Sequence, residues 1–350
     1  MAKIRVLIVM TDNTSVGHFR SGWPGAYLRD HFSDEIDVTV RSISNVVVWD
    51  VIALSKYDII HYNRMFGLIE STDELHKLLR DSGIKMVMDI DDYWDIPDEF
   101  PAKEYMLETL GGSTDALVNI FKNVDCVTTT TELFRKEILE HNKNVVVLPN
   151  AIDLDHEMWK YDSNPSDVVR IGWLGSNQRH HDLLRMKDSI QRLYDDKELE
   201  GKFSFVQAGG EAVDNSIFDG PGFKWFGQEE AWAYGKYYAE VDVCLAPLKD
   251  NKFSKCKSEI KMVEAGMNKK VFIGQDLGIY STHIKHGENG FLVKSDDEWY
   301  DYMKFVILTK GCHARISQSL HDYVNPKFSI NEISKQRINF YKNLMNEKMV

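Results

Sequence analysis

Twelve short apolar runs, separated by stretches of helical periodicity, leave few architectures open to this chain. In the first half the runs fall at residues 6–10, 38–40, 58–61, 86–90, 126–129 and 145–148. In the second half they fall at 168–174, 203–208, 224–226, 243–247, 271–273 and 291–293. Amphipathic patterns such as 72–79 and 133–139 lie between most of them. Strands that alternate with helices make parallel sheets covered on both faces, because each strand needs a crossover before the next can run the same way. Residues 148–167 break the rhythm: they are polar, carry Pro149 and Pro165, and keep no sustained period, so they read as a linker between two doubly wound units. From residue 296 onward the pattern is mostly helical.

Composition narrows the class further. The chain has 350 residues, enough for two domains, with 43% hydrophobic and 27% charged residues, the balance of a globular protein. A net charge of −12 argues against broad, nonspecific nucleic-acid binding, though not against a local basic groove. Cys126, Cys244, Cys256 and Cys312 show no paired spacing, which predicts reduced thiols, a cytoplasmic setting and no zinc site. The apolar run at 6–10 is too short for a signal sequence, and no segment approaches the roughly 20 apolar residues of a membrane span. Any membrane contact is expected to be peripheral.

The richest stretch is 242–274. An apolar strand is followed by a segment carrying Lys249, Lys252, Lys255 and Lys257, then Ser258 at an expected N-cap, then a helical pattern in which Ile260, Val263, Glu264 and Met267 share a face. Free amides at a helix start, with cations just before it, suit a phosphate or diphosphate. Glu264 is an acid among apolar neighbours, costly unless partnered, so it is expected to face a cleft and accept hydrogen bonds from hydroxyls.

Other loops carry chemistry of their own. Gly17, His18 and Arg20 follow the first strand, where a cleft-facing loop and a simple turn are equally consistent. Asp89, Asp91, Asp92 and Asp95 cluster at a strand end; the Asp89-x-Asp91 pair suits a divalent metal, and the same acids suit capping of the next turn. Residues 170–184 give a strand, a turn at Gly175 and Ser176, then Arg179, His180 and His181 before a helix. Adjacent histidines on a helix point apart, so no metal site is expected there. Gly209, Gly210, Gly227 and Trp225 follow or occupy strands and are weak signals alone.

The segments LAPL, KSEIKMVEAG and KKVFIG, with the basic segment between the first two, resemble the C-terminal signature of GT-B fold retaining glycosyltransferases, the superfamily that includes glycogen synthase and many bacterial mannosyltransferases. The resemblance implies two Rossmann-like domains facing a cleft: 1–155 for the acceptor, 156–325 for the sugar nucleotide, and a C-terminal helix, 326–350, crossing back to the first domain. It implies transfer of a sugar from a UDP- or GDP-linked donor, without metal or cofactor, to a glycan, a lipid-linked sugar or a hydroxymethylated DNA base. By the same resemblance Lys257 and Arg179 neutralise the diphosphate, and Gly17, Arg20, Gly175, Ser176 and Ser258 surround the donor phosphates. Glu264 matches the second of the family's two glutamates and holds the ribose. The first falls on Cys256, a departure that removes a carboxylate from sugar recognition. Asp91 takes the place of a histidine near the reacting centre, and Asp92, Tyr93 and Trp94 are expected to meet the acceptor. Three rivals stand beside this reading: a sugar-nucleotide epimerase of the same fold, a non-catalytic nucleotide- or glycan-binding protein, and a GT-A enzyme holding a metal at Asp89 and Asp91.

Overall fold

A computed structural model describes residues 3–67, 72–98, 100, 103–104, 107, 114–176, 179–210, 218 and 220–347. All twelve expected strands are present. The first six are β1 (Ile4–Met10), β2 (Ile36–Ser42), β3 (Ile59–Asn63), β4 (Lys85–Ile90), β5 (Cys126–Thr129) and β6 (Val145–Val147). The second six are β7 (Val169–Leu174), β8 (Phe203–Ala208), β9 (Lys224–Phe226), β10 (Val243–Ala246), β11 (Val271–Gln275) and β12 (Phe291–Val293). Every strand pairing among them is parallel. The central strands β3, β7, β8, β10 and β11 are buried along their whole length, as strands covered by helices on both faces must be.

Strand order decides where a ligand fits. The N-terminal sheet runs β2-β1-β3-β4-β5-β6 and the C-terminal sheet β12-β11-β10-β7-β8-β9. Winding reverses between β1 and β3 in the first, and between β7 and β10 in the second. At such a reversal the outgoing loops part to opposite faces and leave a crevice beyond the strand ends. The loops after β1, β3, β7 and β10 are therefore the ones that build a site.

Two chain segments cross between the domains side by side. The Ile152 amide donates to the Phe328 carbonyl at 2.9 Å, and the Ile330 amide donates to the Ile152 carbonyl at 3.0 Å. The helix His313–Phe328 packs Leu320 and Val324 against Met262 and Val263 in the C-terminal domain. After one extended residue, Ser329, the helix Ile330–Met345 packs Ile338, Tyr341 and Leu344 against Val6, Ile8 and Ile59 of the N-terminal sheet.

One buried ion pair fixes the floor of the N-terminal half. Arg20 donates to both Asp89 oxygens at 3.0 and 2.7 Å, and its remaining nitrogen donates to the Leu148 carbonyl at 2.8 Å and Asn150 Oδ1 at 3.0 Å. Asp89 also accepts from Thr128 Oγ1 at 2.7 Å and Asn63 Nδ2 at 3.0 Å. Burial pushes the Asp89 carboxyl up, but the Arg20 guanidinium outweighs it and holds the group at about 2. An unfolded aspartate titrates near 3.9, so the stabilisation from Asp89 is present above that pH and fades as pH falls through the folded value. Arg20→Met should leave a buried carboxylate unpaired and cost about 3–5 kcal/mol, read as a lowered urea midpoint at pH 7. An unchanged midpoint would show that the pair is not the tie described.

Candidate active site

The C-terminal loops bring cations to the crevice. β7 leads into Gly175, whose amide donates to the Ala208 carbonyl at 3.0 Å. Gly209, at φ +82°, packs so tightly here that a Cβ would lie 2.2 Å from the Gly175 carbonyl oxygen, so glycine is required. Arg179 follows, before the helix His180–Leu184. Its guanidinium sits 3.2 Å from Asp182 and lies over the rings of Phe253, at 5.5 Å, and Phe100, at 5.9 Å. After β10, Asn251 caps a short helix, Lys252–Lys255, by accepting from the Ser254 amide at 2.8 Å. The lysine-dotted segment is thus partly helical. Lys252 pairs with Glu137 at 2.5 Å and Lys255 with Asp250 at 2.7 Å, both ammonium groups half exposed. Of the four lysines in this segment, Lys257 is the one that lines the cleft. Its ammonium pairs with Asp92 of the other domain and lies 4.4 Å from the centre of the same Phe253 ring that Arg179 covers.

Phe253 and Cys256 explain how this segment is held. Both are buried, and both belong to the apolar core of the N-terminal domain, with Phe253 5.1 Å from Phe100. The Cys256 position, where the resemblance expects a glutamate, faces that core. A carboxylate there would be desolvated and would lie near the existing Glu137 and Lys252 pair.

The N-terminal side supplies carboxylates. Asp91 and Asp92 line the cleft, and Arg64, just beyond β3, reaches them at 3.1 and 3.7 Å. Arg64 adopts φ +59°, an uncommon conformation for a residue with a side chain, and its amide donates to the Asp89 carbonyl at 2.8 Å. Burial, with Asp92 and Asp89 nearby, raises the Asp91 carboxyl despite Arg64. Burial also opposes the charge on Asp92, but Lys257 and Arg64 prevail and lower it. Burial, reinforced by Arg179, lowers the Lys257 ammonium in spite of Asp92. Lys257 and Arg179 each pair with a carboxylate, Asp92 and Asp182 respectively.

Glu264 lies in the helix Ile260–Met267 and lines the cleft, 1% exposed. The hydroxyls it accepts from are those of Tyr234 and Tyr238, the latter at 2.7 Å, and Lys261 donates to it at 2.8 Å. Burial pushes its carboxyl up, and these three donors favour the ionised form against that push. Gly209, Gln228, Glu229 and Tyr237 line the same cleft beside Gly175 and Ser176. The cleft holds about 330 Å³.

Several expectations are corrected. Ser258 does not cap the helix Ile260–Met267; Glu259 stands at that position, and Ser258 Oγ accepts from Asn150 Nδ2 at 3.1 Å. Gly17 lies behind the cleft wall, its Cα so close to the Asp12 carbonyl that a Cβ would sit 2.0 Å from that oxygen. Arg20 borders the cleft, but all three guanidinium nitrogens are committed within the protein, to Asp89, the Leu148 carbonyl and Asn150. Tyr93 and Trp94 stack on each other at 4.5 Å and pack against Phe134, with Trp94 also on Phe121, so they belong to the N-terminal core. Both Asp89 oxygens are engaged by Arg20, Thr128 and Asn63, whereas Asp91 turns to Arg64, so the two carboxylates of the Asp89-x-Asp91 pair have different partners. Among the described residues no cluster of three or more His, Cys, Asp or Glu side chains is placed to hold one. Trp225 is 45% exposed and stands outside the cleft lining. Arg64, Phe253, Tyr234 and Tyr238 went unnoticed in the sequence because nothing local marks them. Glu259 was also missed; it is buried and pushed up to about 7 by that burial.

No family model and no curated protein matches this sequence. Solved structures do. Sucrose-phosphate synthase from Thermosynechococcus elongatus superposes with a TM-score of 0.71 at 12% identity, covering 99% of this chain and 100% of that one. A glycosyltransferase from Rickettsia africae gives 0.67 at 16% identity, with 99% of both chains covered. Anabaena HepE in complex with UDP-glucose gives 0.65 at 13% identity, covering 97% of this chain and 100% of that one. At these identities the likeness establishes the architecture: two Rossmann-like domains in the GT-B arrangement.

Phe253 links the halves, so Phe253→Ala should remove a buried ring from the inter-domain contact at a cost of about 3–5 kcal/mol. Denaturation followed by fluorescence should then separate into two transitions. A single transition at the original midpoint would contradict this role.

Proposed function

We propose that this protein is a retaining glycosyltransferase that takes a sugar from a uridine diphosphate donor and passes it to an acceptor hydroxyl, with a glycan the acceptor favoured. The observation that carries the reading is the meeting of Arg179 and Lys257 over one ring, Phe253, from the two loops that flank the winding reversal of the C-terminal sheet. Two cations that approach from separate loops, beside the backbone of Gly175 and Ser176, suit the paired charges of a diphosphate. Glu264 beyond them suits the ribose hydroxyls, and the wall around Gly209 and Tyr237 suits the base. UDP-glucose is the donor to test first, since a solved structure of the same architecture holds it.

The chemistry follows from those placements. As the bond from the anomeric carbon to the diphosphate oxygen breaks, negative charge grows on the leaving group beside Arg179 and Lys257, and stabilising that charge is the largest contribution asked of the protein. The acceptor oxygen bonds the anomeric carbon on the face the diphosphate leaves, and its proton passes to the departing phosphate oxygen, which retains the anomeric configuration. Asp91, held by Arg64, orients the acceptor hydroxyl, and Lys257 exchanges its partner Asp92 for the diphosphate as the donor enters, which leaves Asp92 to Arg64. No cofactor enters the scheme.

Lys257→Ala should lower turnover of UDP-glucose by about 10²–10³-fold with the fold intact by circular dichroism. Transfer or hydrolysis at the wild-type rate would remove the proposal. Product requiring no acceptor would point to an epimerase, and intact donor after long incubation to a binding protein. Tyr234→Phe, which takes one hydroxyl from Glu264, should raise KM for the donor several-fold and leave kcat nearly unchanged. An unaltered KM would place Glu264 outside donor binding.

A further inference from the structure

A second cavity, of about 170 Å³, lies on the far side of Phe19 from the main cleft, where the helix Trp23–His31 meets the two segments that cross between the domains. The helix presents Trp23 and Tyr27, four residues apart and so on one face, with His31 stacked on Tyr27 at 4.2 Å. The crossing segment brings Asp153, His156 and Trp159 to the opposite wall. Asp153 follows Ile152, whose amide and carbonyl are both committed to the neighbouring crossing segment, so this wall is built on a fixed backbone.

The chemistry of the lining is specific. It carries aromatic faces, the carboxylates Asp30 and Asp153, two imidazoles, and no lysine or arginine. Asp30 is shared with Arg29, at 2.7 and 3.0 Å, whereas Asp153 accepts from the Asp155 amide at 3.0 Å through one oxygen. His156 Nδ1 accepts from the Met158 amide at 3.2 Å, which leaves Nε2 as the nitrogen that can donate. An anion finds no cation here. A ring with an apolar face and hydroxyls at its edge finds a stacking surface, a carboxylate to receive its protons and a nitrogen donor.

We propose that this cavity is a binding site for one unit of a neutral saccharide, separate from the cleft that holds the donor. The site stands independently of the reading of the main cleft, because none of its polar groups belongs to the donor machinery. It gives the protein a grip on a sugar away from the point of transfer.

The test is titration of the full chain with the methyl glycosides of glucose, galactose, mannose and N-acetylglucosamine, by saturation-transfer NMR, with and without UDP. At least one glycoside should bind in both conditions. Tyr27→Ala should weaken that binding about tenfold by removing a stacking face. Asp153→Asn, which preserves size and the bond from the Asp155 amide, should weaken it several-fold without lowering the melting temperature. Absence of binding by all four glycosides, binding insensitive to both substitutions, or binding abolished by UDP would each overturn the proposal, as would preferential binding of inorganic phosphate or choline in the cavity.

Discussion

The contact between Lys257 and Asp92, seated on the Phe253 ring, is the point on which the arrangement of this molecule turns. It joins the loop after β10, at the winding reversal of the C-terminal sheet, to the end of β4 in the other domain. Phe253 and Cys256 carry apolar surface of the C-terminal domain into the core of the N-terminal domain, so the ion pair is placed by packing rather than by its own attraction. That order matters physically. A partly buried ion pair gains little once desolvation is counted, whereas a buried aromatic ring contributes directly. The packed ring holds the charges near each other, and the charges remain available for exchange.

Charge in the cleft is balanced in advance. Asp92 answers Lys257, Asp182 answers Arg179, and Asp91 answers Arg64. Under the proposed function the diphosphate exchanges partners with these carboxylates instead of meeting bare cations, which lowers the cost of holding like charges together before it arrives. The buried Arg20 and Asp89 pair, extended through Asn150 to Ser258, belongs to a different layer: it braces the walls and touches both domains.

The architecture was legible because parallel strands buried on both faces leave uninterrupted apolar runs, and all twelve were visible as such. Arg179, Lys257 and Glu264 all line the cleft, and local pattern suggested as much: Arg179 and Lys257 each precede a helix, and Glu264 is an acid on an otherwise apolar helix face. Tyr93 and Trp94 were misread for a physical reason: an aromatic pair after a strand looks the same whether it turns to solvent or folds beneath the next helix, and here Phe121 and Phe134 draw it inward. Arg20 was misread likewise, since its partner Asp89 is distant in sequence. Ser258 was misplaced by one position, because Asn150 from the linker engages its hydroxyl and Glu259 takes the cap position. Long-range pairing of this kind leaves no mark in local sequence.

The central claim, that Arg179 and Lys257 together receive a diphosphate, is tested most directly by titrating uridine, UMP and UDP into the protein and its Arg179→Ala/Lys257→Ala double variant. Charge-assisted hydrogen bonds contribute about 1.5–3 kcal/mol each, so UDP should bind the wild-type chain at least about 100-fold more tightly than uridine. In the double variant that gap should largely close while uridine affinity holds. Equal affinity for uridine and UDP in the wild type, or an undiminished gap in the variant, would contradict the account.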